Sequence, residues 1–140
     1  MKYAVTIVIL IACCVTVYAQ SSITKIDFVK IKEGKKTESL YFYENNWKVY
    51  RDIALHKGYI KSYQLLLTVA DSLSNFDLML ITEYADSAQE KLSEERFQQI
   101  IKETRPNGPK LSNNLKPNEF RQNLYLKNAQ TLFSSNFKVP

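Results

Sequence analysis

Cysteine, histidine and glycine are scarce in this sequence, and their scarcity excludes several kinds of functional site. The 140 residues include two cysteines, one histidine and three glycines. A zinc centre needs about four clustered ligands of the cysteine and histidine type, and three scattered glycines cannot form a phosphate-binding loop. A serine–histidine–aspartate triad would rest on a single histidine. We therefore expect no metal and no cofactor in this protein.

The beginning of the sequence has the pattern of a signal peptide. Lys2 precedes a long uncharged apolar run, and small residues end this run before Gln20. The run falls short of the ~20 apolar residues that span a bilayer comfortably, which favours cleavage over a retained anchor. We therefore predict a signal peptide over residues 1–19 and a periplasmic or secreted protein. In an alternative, "LIAC" at residues 10–13 resembles a lipobox and predicts a lipoprotein anchored through Cys13.

Residues 20–140 are long enough for one hydrophobic core and too short for two ordinary domains. Both cysteines precede this segment, so the mature domain has no disulfide and must be stabilised by its core. The net charge of +5 is mild. The densest basic cluster, "KIKEGKK" at residues 30–36, contains a glycine and an acid, as solvated loops do. We therefore predict a single domain with no nucleic-acid partner and no membrane span after cleavage.

The first half of the mature chain predicts a strand, a long helix and a hairpin. Residues 23–32 are rich in β-branched and aromatic side chains, which favours a strand. Thr37 is expected to cap a helix that continues without proline or glycine to Gly58, where a left-handed terminator belongs. Two apolar runs, residues 59–70 and 76–85, are joined by a short polar loop and predict an antiparallel hairpin.

The second half predicts a helix, a long loop and a last strand. Ser93 is expected to cap a helix that Pro106 ends. Residues 105–119 contain three prolines and predict a long loop, which is either mobile or wraps around a partner. Residues 120–133 alternate between polar and apolar side chains and predict the last strand, which a short C-terminal tail follows.

Helical periodicity predicts which side of the long helix is buried and on which side its histidine lies. At 100° per residue one apolar stripe of this helix contains Leu40, Tyr43, Trp47, Tyr50 and Ala54. The single histidine, His56, lies roughly 140° from the centre of this stripe. We therefore predict that His56 is a solvated residue near the helix C-terminus, where a positive charge is mildly favourable. A solvated histidine is also a poor axial ligand for haem.

The hairpin runs "YQLLLTVA" and "FDLMLITEY" are apolar on both alternation sets, so both faces of the sheet are expected to be covered. The element order is strand, helix, strand, strand, helix, strand. In this order, in length and in its two-sided strands the chain resembles the dimeric α+β barrel superfamily. The resemblance implies an α+β, ferredoxin-like βαββαβ fold with two helices on one face of an antiparallel sheet. It also implies a homodimer in which two open sheet faces meet.

The resemblance and the aromatic residues lead to two hypotheses about function. Ligand sites in this superfamily commonly lie in a cleft between the sheet and the helices. The first hypothesis is an exported homodimer that binds a small apolar or aromatic ligand through Trp47, Tyr50, Tyr63 and Tyr84. The same rings would alternatively serve only as core and dimer contacts.

The second hypothesis is a cofactor-free monooxygenase or isomerase with its site between the sheet and the helices. Such an enzyme would use tyrosine and carboxylate groups in place of a cofactor. Three acids on predicted strands, Asp27, Asp77 and Glu83, are the candidate bases, provided that they are buried. No family motif assigns a catalytic residue.

Overall fold

The computed structural model describes residues 22–69 and 74–132. The predicted signal peptide, and with it Cys13, lies outside the described residues. Part of the predicted hairpin loop and the C-terminal tail also lie outside them. Within the two described ranges, no helix has both the length and the apolar composition that crossing a bilayer requires.

Strands and helices follow one another along the described chain in the predicted order. Their bounds are β1 (Ile23–Ile31), α1 (Lys36–Phe42), a π-helical turn (Tyr43–Trp47), α2 (Lys48–His56), β2 (Ser62–Leu67), β3 (Leu78–Tyr84), α3 (Ser87–Lys91), α4 (Ser93–Thr104), α5 (Pro117–Phe120) and β4 (Arg121–Gln130). The first three helical segments are continuous, and we call residues 36–56 the long helix.

The four strands form one antiparallel sheet in the order β2-β3-β1-β4. β1 lies inside the sheet, where it pairs with β3 on one side and with β4 on the other. The register between β1 and β4 shifts between Phe28 and Val29, which marks a bulge in this pair. The βαββαβ order together with this strand order is the ferredoxin-like arrangement, so the predicted fold class is confirmed.

Tight turns set both ends of the long helix. Gly34 has a φ of +67°, and a backbone hydrogen bond of 3.0 Å closes the turn that ends at Lys35. The helix therefore begins at Lys36, and the prediction that Thr37 caps it is wrong because the turn ends before this residue. Gly58, with a φ of +67°, follows the other end as predicted, in a conformation that residues with a Cβ rarely adopt.

The start of α4 also differs from its prediction. The Asp86 carboxylate accepts a hydrogen bond of 2.7 Å from the Gln89 N–H and caps α3. α3 ends at Lys91 and only Leu92 separates it from α4. Ser93 is therefore the first residue of α4 and not its cap, because the short helix before it already supplies the preceding turn.

The core lies between the helices and one face of the sheet, in two clusters. The first contains Val29, Tyr43, Trp47, Leu78 and Leu80, and the second contains Tyr50, Ala54, Ile60, Tyr84 and Ile100. Four of the five residues of the predicted helix stripe belong to these clusters, and Leu40 packs against the first. The stripe is therefore confirmed as the buried side of the long helix.

The other face of the sheet is apolar and open to solvent in part. Burial alternates along β3, where every second residue faces the helices and is buried. On the opposite face, the Phe28 ring contacts Phe76 and Tyr125 at centroid distances of 4.8 and 4.7 Å. Leu66 and Tyr125 on this face keep 42% and 43% of their surface exposed. We call this surface the open sheet face.

The long segment after α4 is held to the long helix by hydrogen bonds. The Asn46 side chain donates to the Lys110 carbonyl at 2.8 Å and accepts from the Lys110 N–H at 2.7 Å. Arg105 donates to the Asn45 carbonyl at 2.8 Å. The segment therefore follows the long helix over this part of its length.

The end of this segment is helical, in contrast to the predicted loop over residues 105–119. Pro117 begins α5, where its missing N–H costs no helical hydrogen bond. The Glu119 carboxylate accepts from the Lys116 N–H at 2.7 Å and stabilises this turn. The proline that indicated a loop is thus a helix start, and β4 follows α5 directly.

Candidate functional site

A cavity of about 250 Å³ lies between the long helix and the helix-facing side of the sheet. It is lined by Asp27, Val29, Phe42, Tyr43, Trp47, Tyr50, Arg51, Leu80, Ile101, Arg121 and Asn123. A surface depression of about 520 Å³ shares Arg121 and Asn123 with this cavity. These two residues therefore stand where the cavity meets the protein surface.

The aromatic part of the cavity wall comes from the long helix. Tyr43, Trp47 and Tyr50 are buried, with 2%, 8% and 8% of their surfaces exposed. The Phe42 ring meets the Tyr43 ring edge to face at a centroid distance of 5.5 Å. Rings of this kind offer large apolar faces to a bound molecule with little loss of side-chain freedom.

The π-helical turn arranges these aromatic residues. The Lys48 N–H donates to the Tyr43 carbonyl, five residues earlier, in place of the usual bond to the fourth residue. The turn lets Asn46 be buried on the same helix as Tyr43 and Trp47. One helical turn thus carries both part of the aromatic wall and Asn46, the residue that holds the segment after α4 to the long helix.

Asp27 is the carboxylate in the cavity, and β1 carries it. Burial raises the pKa of Asp27, while the positive charges of Arg51, Lys25 and Arg121 oppose this effect. No ion pair or hydrogen bond joins its carboxylate to another side chain within residues 22–69 and 74–132. The nearby positive charges therefore compensate the negative charge of Asp27 only in part.

Arg51 is a partly buried cation held between two rings. Its guanidinium carbon lies 4.9 Å from the Trp47 ring centroid and 3.9 Å from the Phe97 ring centroid. Its Nε donates to Thr82 Oγ1 at 3.1 Å. Burial lowers the pKa of Arg51 to about 10, so the guanidinium keeps its charge at neutral pH.

Arg121 and Tyr43 complete the polar part of the cavity. Arg121 donates through Nη1 to Asn123 Oδ1, and its guanidinium carbon lies 5.4 Å from the Tyr43 ring centroid. Within the described residues, Arg121 Nε and the Tyr43 hydroxyl are buried without a hydrogen-bond partner. Burial raises the pKa of Tyr43 to about 12, against the lowering effect of Arg121, so the hydroxyl keeps its proton.

The structure brings two of the four predicted ligand-binding residues to this cavity. Trp47 and Tyr50 line it. Tyr63 contacts Trp47 edge to face at 5.5 Å and lines a second hollow, of about 360 Å³, beside the same indole. Its hydroxyl donates to the Asp52 carboxylate. Tyr84 is 3% exposed and packs in the second core cluster.

The other candidate acids and the histidine lie away from the cavity. Asp77 accepts from the Ile31 N–H at 2.7 Å and from Lys30 at 3.1 Å. Glu83 accepts from Lys61 at 3.0 Å, and salt-bridge and hydrogen-bond partners thus occupy both acids. His56 is the last residue of α2 and is exposed, as predicted.

Nothing in the described part of the chain forms a metal-binding group. Across residues 22–69 and 74–132, no three histidine, cysteine, aspartate or glutamate side chains cluster closely enough to hold an ion. The polar groups of the cavity are instead two guanidiniums, one carboxylate, one carboxamide and two phenols. This set suits hydrogen bonding to an organic molecule.

The sequence prediction missed both cavity arginines. Arg51 follows Tyr50 of the apolar stripe directly and lies four positions after Trp47, so helical periodicity places it at the edge of the stripe. The spacing in the sequence could therefore have indicated Arg51 as a site residue. No comparable pattern marks Arg121, because β4 brings it to the cavity only through pairing with Ile31 of β1.

Comparisons with known proteins relate the chain to solved structures only. No protein-family model matches it, and no curated protein does. A conserved protein of unknown function from Bacteroides thetaiotaomicron, described as a possible oxidoreductase, is 16% identical with a TM-score of 0.50. The match covers 81% of this chain and 100% of that one. At this identity the likeness concerns the fold alone.

Two further solved structures are similar at lower scores. A dimeric protein of unknown function with a ferredoxin-like fold, from Bacteroides fragilis, is 12% identical over 81% of this chain and 100% of its own, with a TM-score of 0.49. An uncharacterised NIPSNAP-like domain protein from Burkholderia xenovorans is 12% identical over 88% of this chain and 92% of its own, with a TM-score of 0.46.

Proposed function

We propose that this protein is a small-molecule-binding domain whose site is the cavity between the long helix and the sheet. The observation that carries the proposal is the composition of the cavity wall. Aromatic rings line it together with Arg121 Nε and the Tyr43 hydroxyl, two of the four buried side-chain polar atoms that lack a partner among the described residues. Ligand sites typically combine an apolar wall with a few polar groups that fix orientation, and buried polar groups without partners are uncommon elsewhere in proteins.

The volume of the cavity limits the size of the ligand. Its 250 Å³ equal the liquid volume of about eight water molecules at ~30 Å³ each. This lies near the lower end of the usual range of ligand pockets, about 300 to 1,000 Å³. We therefore expect molecules with one or two aromatic rings, or apolar molecules of similar size.

A ligand screen tests this proposal directly. Ligand-detected NMR with a panel of one- and two-ring aromatic compounds identifies binders, and fluorescence titration measures their affinities. Trp47, the single tryptophan of the chain, stands in the cavity wall and reports binding. We expect at least one compound to change its emission in a saturable way.

A variant that narrows the cavity serves as the control for this screen. Asn123 is exposed and lines the cavity, so Asn123→Phe places a ring at its mouth. Asn128→Phe makes the same change on the same strand at an exposed residue outside the cavity. We expect the first variant to weaken binding and the second to leave it unchanged. A screen without any binder, or equal binding by both variants, contradicts the proposed site.

The proposed assembly is a homodimer formed through the open sheet face. Its support is the cluster of apolar and aromatic side chains on that face, among them Phe28, Leu66 and Tyr125. Exposed apolar clusters of this kind often mark protein–protein contacts. In the described residues no helix packs on this side, and a second copy would present the same apolar surface to it.

The proposed location is outside the cytoplasm, and it rests on the sequence of residues 1–19. The basic start and the uncharged apolar run support export and cleavage before Gln20. Determining the first residue of protein isolated from its host tests this. Gln20 is the expected result, whereas a lipidated Cys13 would support the lipoprotein alternative and Met1 would contradict both.

A cofactor-free isomerase or monooxygenase is the second candidate function, and one observation favours it. Asp27 lines the same cavity as Trp47, and burial raises its pKa, which makes it a better proton acceptor than an ordinary carboxylate. An isomerase of this kind would exchange weakly acidic C–H protons of a bound compound with solvent deuterium. A monooxygenase would consume dioxygen in the presence of a bound compound. Both activities should disappear in Asp27→Asn, while ligand binding alone would survive.

A further inference from the structure

The polar side of the cavity has more hydrogen-bond donors than its own residues use. A guanidinium carries five N–H donors. Within the described residues, Arg51 forms one side-chain hydrogen bond, to Thr82, and Arg121 forms one, to Asn123. Arg121 Nε is buried without a partner, and the Tyr43 hydroxyl, whose oxygen lies near Arg121, has no other partner. The donors that remain belong to side chains that line the cavity.

The same side chains leave an excess of positive charge in the cavity. Two guanidiniums line it against a single carboxylate, that of Asp27. Lys25, the further cation whose charge reaches Asp27, forms a salt bridge with Glu90. An uncompensated cation away from bulk water attracts an anion more strongly than one at the surface does.

The arginine side chains are also fixed in position. Arg51 packs between the Trp47 and Phe97 rings, and the Arg121 guanidinium lies 5.1 Å from the Phe42 ring centroid. Side chains held in this way lose little freedom when a ligand binds. Guanidinium groups match planar oxyanions by two parallel hydrogen bonds, which makes them selective for carboxylates.

We propose that the cavity selects ligands in which a carboxylate, or another planar oxyanion, is attached to an aromatic or apolar body. Arg51 and Arg121 bind the oxyanion, and the Tyr43 hydroxyl donates to it. Trp47 and Tyr50 contact the body of the ligand. This inference rests on the proposed binding function and names the class of ligand that the site accepts.

A pair of probes that differ only in the head group tests the inference. We choose 2-naphthoate and 2-naphthamide, which share one ring system and have heads of similar size. Isothermal titration calorimetry with the wild-type chain is expected to give at least tenfold tighter binding of the naphthoate. High salt is expected to reduce this difference only in part, because buried charges are screened less than exposed ones.

Three variants assign the preference to the cavity arginines. Arg51→Met and Arg121→Gln each remove one guanidinium, and we expect each to reduce the preference for naphthoate to threefold or less. Arg96→Gln is the matched control, because Arg96 also stacks on a ring, Tyr59 at 4.4 Å, outside the cavity. It should keep the wild-type preference. Circular dichroism confirms that each variant is folded. If a variant does not fold, the comparison of the two probes on the wild-type protein still tests the inference.

The outcomes separate this inference from the proposed function. If naphthamide binds as tightly as naphthoate, or if the aromatic panel yields only neutral binders, the inference is wrong and the binding function remains. If the preference survives both arginine variants, the anion binds elsewhere and the inference is also wrong. If neither the probes nor the panel bind at all, the binding function fails and the inference fails with it.

Discussion

The guanidinium carbon of Arg51 lies 3.9 Å from the centroid of the Phe97 ring, so a charge on α2 packs directly on an aromatic residue of α4. This contact crosses between the two helices that cover the sheet. It links the position of a cavity residue to the packing of a helix that contributes only Ile101 to the cavity wall. The stability of this contact can be measured.

A double-mutant cycle is expected to show that Arg51 and Phe97 stabilise each other. Combining Arg51→Met with Phe97→Leu should give a coupling free energy of about 1 to 2 kcal/mol, the range for a cation–π contact away from water. Arg96 and Tyr59, with a distance of 4.4 Å, form a comparison pair, for which we expect about 0.5 kcal/mol. Denaturant unfolding of the single and double variants supplies these values. Equal coupling in the two pairs would argue against a special role for the buried contact.

Asp27→Asn is expected to raise the free energy of unfolding at neutral pH. Burial raises the pKa of Asp27 above its ordinary 3.8, so the folded state binds this proton more tightly than the unfolded state does. Stability therefore falls as the pH rises through the window above 3.8 and stays lower at neutral pH. The gain should be below about 1 kcal/mol, because the carboxyl is only partly buried.

The pH dependence distinguishes this effect from a general change in packing. Asparagine does not titrate, so the advantage of the variant should shrink as the pH falls through the same window. Urea unfolding of both proteins, at neutral pH and at the acidic end of the window, measures this difference in the free energy of unfolding. A wild-type protein that is the more stable of the two at neutral pH would mean that the arginines outweigh burial.

Leu66→Lys is expected to dissociate the proposed dimer. Leu66 lies on the open sheet face and is 42% exposed, and a charge there would be buried in an interface between two sheets. Leu92→Lys is a matched control, because Leu92 is 44% exposed between α3 and α4. Sedimentation velocity at micromolar concentration should give a dimer for the wild type and for Leu92→Lys. A wild-type monomer would overturn the proposed assembly.

His56 and Trp47 are expected to differ sharply in their tolerance of substitution. His56→Ala removes an exposed residue at a helix end and should change the free energy of unfolding by no more than about 0.5 kcal/mol. Trp47→Ala deletes a buried ring and should cost on the order of 3 kcal/mol or more. Thermal or denaturant unfolding compares them. A folded His56→Ala protein that no longer binds the ligands of the wild type would give the histidine a function that its position does not suggest.

The fold was largely predictable because its elements carry strong periodic patterns. Two apolar runs joined by a short polar loop marked β2 and β3, and the stripe that contains Trp47 marked the buried side of the long helix. Errors occurred at element ends, where local turns decide the outcome. The turn at Gly34 moved the start of the helix ahead of Thr37, and Pro117 began a helix where its presence suggested a loop.

The sequence indicated the aromatic part of the candidate site and offered Asp27 as one of three candidate acids, but it did not indicate the two arginines. Trp47 and Tyr50 reach the cavity because helical periodicity alone places them on one face. Asp27, Arg51 and Arg121 come together through contacts between segments far apart in sequence, and the register of β1 with β4 is one of them. Register depends on the pairing of whole strands, which no short pattern of residues specifies.

The π-helical turn makes the anchoring of the segment after α4 depend on the length of the chain as well as on its side chains. A turn of this kind accommodates one residue more than an α-helical turn, and it lies between α1 and the residues that carry Tyr50 and Arg51. Deleting one residue there would restore regular α-helical geometry and remove the bulge that carries Asn46, while the helix after the turn would keep nearly its orientation relative to α1. The two hydrogen bonds between Asn46 and Lys110 would be lost. A chain of this fold without that residue would therefore keep the aromatic wall of the cavity but would need another contact to hold the segment after α4 to the long helix.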